Sequence, residues 1–406
     1  MSDDDTPTRP SGAARRGGDR RGWLYGTGVA VVVVIGLIAF AATRGDGGGA
    51  GHAGMPGMDM GGSSDEPDLP EMEMAGVSRM GDLIMPPGMI MTAGMSMDAM
   101  RDMAAVDPDE VDARAPADAR GDQPLAARDV DAVKEFDLRA SVVRWNILPD
   151  VEVLAYAFNE QVPGPRLQLS EGDRVRINVT NDLPEPTTVH WHGLDIPNAM
   201  DGPAGITQDP IPPGESFTYE FTVGQAGTFF YHSHAAADRQ QALGLYGALL
   251  VAPAEPEPPV AADVVVQLGE WTVRDGYTFP AMPMEGLMPN FFTINGKAWP
   301  ATDTVRVRVG DQVRVRFIGS GAFAHPMHIH GGPFQIVATD GNPVPAGAQL
   351  TKDTVNVAPG ERYDVLWTAR QPGRWLMHCH INHHLTNDGA EQEGAGGLSM
   401  VIDVAA

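Results

Sequence analysis

Cysteine is nearly absent: Cys379 is the one thiol in 406 residues. No internal disulfide can form, which excludes a disulfide-stapled secreted scaffold. Positive charge is scarce too. There are 28 Lys and Arg against 53 Asp and Glu, a formal net charge of −25, and this argues against a nucleic-acid binder with its basic face. Long helical patterns are few, while 48 Gly and 34 Pro point to turns and strands. The length allows two domains plus extra segments. What the chain does have is histidine, twelve in all, most of them in four tight clusters.

The front of the chain reads as something other than fold. Residues 1–22 are polar and basic, with Arg9, Arg15, Arg16, Arg20 and Arg21. Residues 23–43 form an uncharged run, WLYGTGVAVVVVIGLIAFAAT, close to the ~20 apolar residues that span a bilayer as a helix. The arginines precede it, so the N-terminus is expected to stay cytoplasmic and the rest to sit on the outer face of the cell membrane. A transmembrane anchor is the leading reading. A cleaved signal, suggested by Ala39, Ala41 and Ala42, would make the protein secreted. Residues 44–134 hold 13 of the 21 methionines, between Met55 and Met103, and almost no aromatics. Such composition predicts a disordered tether. It serves either as a plain stalk or, because thioethers prefer Cu(I), as a copper lure.

From residue 135 the texture changes to short alternating runs such as RVRINVTN, FTYEFTV and QVRVRFIG, which predict half-buried antiparallel strands in β-sandwiches. The unit occurs twice. His190-Trp-His192 matches His328-Ile-His330 at an offset of 138, and His232-Ser-His234 matches His378-Cys-His380 at 146. One eight-residue length change separates the two offsets. The predicted fold class is all-β: a first domain at 135–253, a Pro-rich linker at 254–260 and a second domain at 261–406.

Each unit carries two His-x-His pairs. On a strand, residues i and i+2 share a face about 7 Å apart, so eight imidazoles can converge if the units face each other. Imidazole suits copper, zinc, iron and nickel. Cys379 lies between His378 and His380, and alternation turns its sulfur to the opposite face. With His325 and His384 it makes the thiolate-plus-two-imidazole set of a blue-copper electron-transfer site. An electron accepted there has a short covalent route to His378 and His380. The first unit is an internal control: at the matching positions it has Thr187, Ser233 and Asp238. One mononuclear site per chain is therefore predicted, in the second domain.

His190-Trp-His-Gly, His232-Ser-His, His325-Pro-Met-His-Ile-His-Gly and His378-Cys-His-Ile-x-x-His together resemble the multicopper oxidase family over roughly 135–406, in its two-domain, small laccase-like form. The resemblance implies two cupredoxin-like Greek-key sandwiches and four coppers per chain. Type 1 copper would fall to His325, Cys379 and His384. Type 2 would fall to His190 and His328. The type 3 pair would fall to His192, His232, His234, His330, His378 and His380. It also implies a homotrimer, each cluster lying between the first domain of one chain and the second of its neighbour. Two departures stand out. LTNDGAEQEGAG intervenes after His384, leaving Leu398 as the axial, non-coordinating residue, with Met400 as competitor. Asp201 matches the family's acidic residue near the cluster and is the expected proton donor, whereas the usual places for a second acid hold Asn382 and Leu385.

The implied reaction is four one-electron oxidations coupled to reduction of O2 to water. The reductant is either a phenol or aromatic amine, as in a laccase, or Cu(I), fed by the methionine segment. A two-domain copper nitrite reductase would instead carry its blue-site Cys in the first domain. A non-catalytic copper store or electron carrier would need no eight-histidine cluster.

Overall fold

Alternation along short strands decides what faces inward. In the strand Arg174–Asn181, Val175, Ile177 and Val179 are buried, while Arg174, Arg176 and Asn178 reach towards solvent. The computed structural model describes residues 72–406 except 74–75, 92–94 and 393, all within one compact unit, Pro67–Ala406. The expected membrane segment at 23–43 lies outside the described residues. Among the described residues no helix is long and apolar enough to cross a membrane.

Two sandwiches of two sheets each make up the architecture. In the first, one sheet runs Ser216–Thr222, Arg174–Asn181, Val133–Leu148, Arg128–Val130, with Val151–Phe158 hairpinned onto Val133–Leu148. The facing sheet runs His190–His192, Gly227–His232, Tyr246–Ala252, Gly164–Ser170, Pro124–Leu125. Phe136, Tyr156, Ile177, Trp191, Tyr219 and Tyr231 fill the space between them. In the second, an eight-stranded sheet is built around Ala262–Arg274, Gln312–Gly319, Arg362–Thr368 and Phe334–Thr339. It faces Thr304–Arg308, Ser399–Ala405, Gly373–Cys379, His325–Ile329, Thr354–Val357, in that order.

The internal repeat recurs in the pairing. Arg174–Asn181 runs parallel to Val133–Leu148, and Gln312–Gly319 runs parallel to Ala262–Arg274. The histidine strands pair antiparallel in both units, His190 opposite His232 and His328 opposite His378.

The methionine segment departs from expectation. Its described part is folded, not disordered. Ser78–Met80 and Leu83–Met85 form a hairpin, and Met97–Met103 forms a helix N-capped by Ser96. Met85, Met89, Met100 and Met103 are buried against Phe279, Met282 and Leu287. The segment has too little apolar surface to order itself, but the second sandwich supplies the missing surface, and the flexible thioethers fill it. Strands Pro124–Leu125 and Arg128–Val130 also lie upstream of residue 135, and both pair into the first sandwich.

The sandwiches press together along a largely apolar seam. Trp145, Val153, Trp271 and Phe291 share one core there. The Trp145 indole donates to the Gly296 carbonyl at 2.7 Å, and the Thr228 hydroxyl donates to Asp364 at 2.7 Å. Backbones meet so closely that a Cβ on Gly227, at φ +145°, would lie 2.2 Å from the Gly341 oxygen. Truncating Trp145 or Trp271 to alanine at such a seam costs about 3–5 kcal/mol.

Candidate metal centres

Three groups of ligating side chains emerge from these strands. The first is buried. Strands His325–Ile329 and Gly373–Cys379 are neighbours in register, with Met327 opposite Cys379. Alternation turns Cys379 inward, fully buried, and leaves His378 on the other face. A short 3-10 turn, Asn382–Leu385, swings His384 back over the sulfur. The Cys379 Sγ lies 3.5 Å from His384 Nδ1 and 3.9 Å from His325 Nδ1, and the two nitrogens are 3.0 Å apart. The Ile381 N–H donates to the sulfur at 3.4 Å, and Phe292 stacks on His384 with ring centroids 4.0 Å apart. Two imidazole nitrogens and one thiol sulfur converging on one point fit the trigonal donor set of a blue-copper site. Burial pushes His384 down to about 3, so it stands neutral and ready to ligate. Burial pushes the Cys379 thiol up to about 11, so a metal must displace its proton to bind.

The chain after His384 is tied back to the second sandwich. Asn387 is buried, donating to the Trp299 carbonyl at 2.7 Å and accepting from the Gly397 N–H at 3.0 Å. Gly397 sits at φ +44°, and a Cβ there would come 2.1 Å from the His384 oxygen, so only glycine fits. Leu398 is fully buried, and its backbone bonds to two of the three candidate ligands: Leu398 N–H to His384 O at 3.0 Å, and Cys379 N–H to Leu398 O at 3.1 Å. Met400 lies two residues on, paired with Met377.

The second and third groups are two four-histidine patches. In the first sandwich, the His190 ring lies 5.4–5.5 Å, centroid to centroid, from those of His192, His232 and His234. In the second, the His328 ring lies 5.0–5.8 Å from those of His330, His378 and His380. Backbone carbonyls fix the tautomers. His190 Nδ1 donates to Asp201 O at 2.7 Å, His232 Nδ1 to Ser233 O at 2.8 Å, His328 Nδ1 to Asp353 O at 2.7 Å and His378 Nδ1 to Cys379 O at 2.7 Å. Each Nε2 lone pair is thereby free for a metal. His330 Nε2 and His378 Nε2 lie 3.1 Å apart, a separation that suits two ligands of one ion. Burial lowers His232 to about 3 and His192 to about 4. His234, His330 and His380 are exposed. Among the described residues no hydrogen bond or ring contact joins one patch to the other.

Asp201 lies beside the first patch, its Oδ1 3.3 Å from His190 Nδ1. Two residues near the Cys379 group were not singled out from the sequence. His383 is exposed, its ring centroid 4.4 Å from that of His384. Glu270 is buried, with its carboxylate 2.5 Å from His325 Nε2. One sign of it was available, a lone acid in the apolar run VVVQLGEW.

Two sequence patterns, each of a multicopper oxidase domain, match residues 140–256 and 277–392. The crystal structure of a blue copper oxidase from Nitrosomonas europaea is 36% identical with a TM-score of 0.61, over 66% of this chain and 85% of that one. The chain belongs to the multicopper oxidase family. Among curated relatives, laccase-1 of Cryptococcus neoformans var. grubii is 35% identical over 274 residues, 59% of this chain and 42% of its own. Copper resistance protein A of Escherichia coli is 30% identical over 284 residues, 57% of this chain and 46% of its own. The chain thus spans less than half the length of these two relatives. Two domains of the family are matched in this chain, and copper is the metal the family uses.

Proposed function

We propose that this chain is a copper oxidase that takes electrons one at a time at His325, Cys379 and His384 and passes them to O2 at a cluster of eight histidines. When bound, the four coppers supply one-electron storage and reduction of O2 to water. The observation that carries the reading is the Gly373–Cys379 strand and its continuation. Cys379 faces the buried trigonal site while His378 faces a four-histidine patch, so the two centres share one stretch of backbone. Asp201, with its carboxylate 3.3 Å from His190 Nδ1, is the residue assigned to proton delivery.

Each protomer offers two half-sites, and both reach its surface. The reading is therefore a head-to-tail homotrimer, in which the first sandwich of one chain meets the second of the next. The run at 23–43 would hold it on the outer face of the membrane.

For the reductant, burial is the guide. His325 and His384 are 0% and 3% exposed, so a donor approaches His383 and not the ligands themselves. Met284 and Met288 are exposed on the segment leading to Phe292, which stacks on His384. Small donors such as Cu(I) suit this surface, and similarity to a copper resistance protein supports that choice. Phenols and aromatic amines are the second reading, supported by similarity to a laccase. Oxygen uptake by copper-loaded protein decides between them. Uptake with Cu(I) but not with a bulky phenol is expected, and the reverse would make the chain a laccase. Fewer than four coppers per chain in the active protein would overturn the oxidase reading.

A further inference from the structure

Glu270 lies mid-strand in Ala262–Arg274 and is 4% exposed. Its Oε1 is 2.5 Å from His325 Nε2, and its Oε2 accepts the Ala322 N–H at 3.2 Å. Among the described residues no lysine or arginine pairs with it. Its space is kept open by Gly321, where an added Cβ would come 1.7 Å from Oε2. A buried acid whose partners are one imidazole and one backbone N–H is costly to bury, and a glutamine would fill the same volume at less cost. The acid is therefore placed for what it does to His325.

The two imidazoles of the site are held differently. His384 stacks on Phe292, whereas His325 has a carboxylate on its far nitrogen. With Nε2–H donated to Glu270, the lone pair of His325 sits on Nδ1, the nitrogen that faces Cys379 and His384. A carboxylate behind a ligating histidine fixes its tautomer and raises its basicity. Its negative charge favours the more positive oxidation state of a metal bound in front. Leu398, offering no axial donor, works in the opposite direction.

We propose that Glu270 is a positioning residue: it presents Nδ1 of His325 to the blue-site copper and lowers that copper's reduction potential. This rests on the copper reading above. The test is on the full-length, copper-loaded protein. The blue band, the midpoint potential of the site and the melting temperature of the copper-free form are measured for wild type, Glu270→Gln and Gly321→Ala. Glu270→Gln is isosteric, and its amide oxygen can still accept from His325 Nε2, so its copper-free form should fold and melt close to wild type. Its blue band should persist, and its preference for Cu(I) should rise at least tenfold, about 59 mV for one electron. Gly321→Ala displaces the carboxylate without removing it and should move the potential the same way. A blue wild type whose potential is unchanged in both variants overturns the role of Glu270 alone. A wild type without a blue band overturns the copper reading, and this proposal with it.

Discussion

If the histidine cluster is assembled between chains, two inactive variants should repair each other. His190 and His192 changed to alanine destroy the patch of the first sandwich, and His328 and His330 changed to alanine destroy that of the second. All four are at least partly exposed, so the sandwich cores are untouched. Alone, either variant leaves every junction of a ring broken, and O2 reduction should vanish while the blue site stays intact. Co-expressed with different tags and purified through both, the trimers contain two copies of one variant and one of the other, or the reverse. In a head-to-tail ring each such trimer has one junction where an intact first sandwich meets an intact second, so turnover should return to about one third of wild type. Oxygen uptake per ring measures it. Mixed trimers with verified subunit composition and no activity would refute the split-cluster argument. So would a fully active monomer.

Four further outcomes are expected. Asp201→Asn should keep its blue band and lose on the order of 100-fold in O2 turnover; unchanged turnover would remove Asp201 from proton delivery. His383→Ala should keep its copper yet slow anaerobic reduction of the blue site by external donors, read by stopped flow; an unaltered rate would mean that electrons arrive elsewhere. Met85→Ala, at a fully buried position, should cost about 2–5 kcal/mol and expose residues 78–106 to protease; equal resistance would contradict the packing of that segment. Asp122 is raised from 3.8 to about 7, chiefly by burial and against the pull of Arg166. The folded form therefore holds a proton that the unfolded form releases above pH 4, and its contribution to stability falls as pH rises from about 4 to 7. Asp122→Asn should be more stable than wild type at pH 7, by at most a few kcal/mol, with the gain fading towards pH 4. A gain that is flat across this range would contradict the assignment.

The grouping of the histidines and Cys379 was legible because its geometry is local. Two residues apart on a strand means one face, and the repeat placed His190 and His328, or Ser233 and Cys379, in equivalent strands. The turn that returns His384 to the sulfur is likewise short. What escaped the sequence depends on distant partners. Glu270 meets His325 across 55 residues, and nothing near it in the chain announces that contact. Met85 and Met100 look like part of a solvated tether until Phe279 and Leu287 supply the opposite wall. Strands Pro124–Leu125 and Arg128–Val130 are too short to show a period. The loop 386–397 reads as a polar insertion, yet buried Asn387 ties it to Trp299.

The folded segment ahead of the sandwiches has a geometric consequence. Its helix ends on the first sandwich, where Arg239 donates to the Arg101 carbonyl at 3.1 Å and also to that of Ala104. Three residues later, the Val106 N–H donates to Thr278 of the second sandwich at 3.2 Å. The Thr278 hydroxyl in turn accepts the Leu154 N–H of the first sandwich at 2.9 Å. The segment is thus a splint across both sandwiches, adding to the seam that fixes the angle between them. In a head-to-tail ring that angle is repeated at every subunit, and its error accumulates around the circle. A splint that holds it within a few degrees separates a closed ring from an open filament. On the trimer reading, residues that never approach a copper would decide whether the cluster can exist at all.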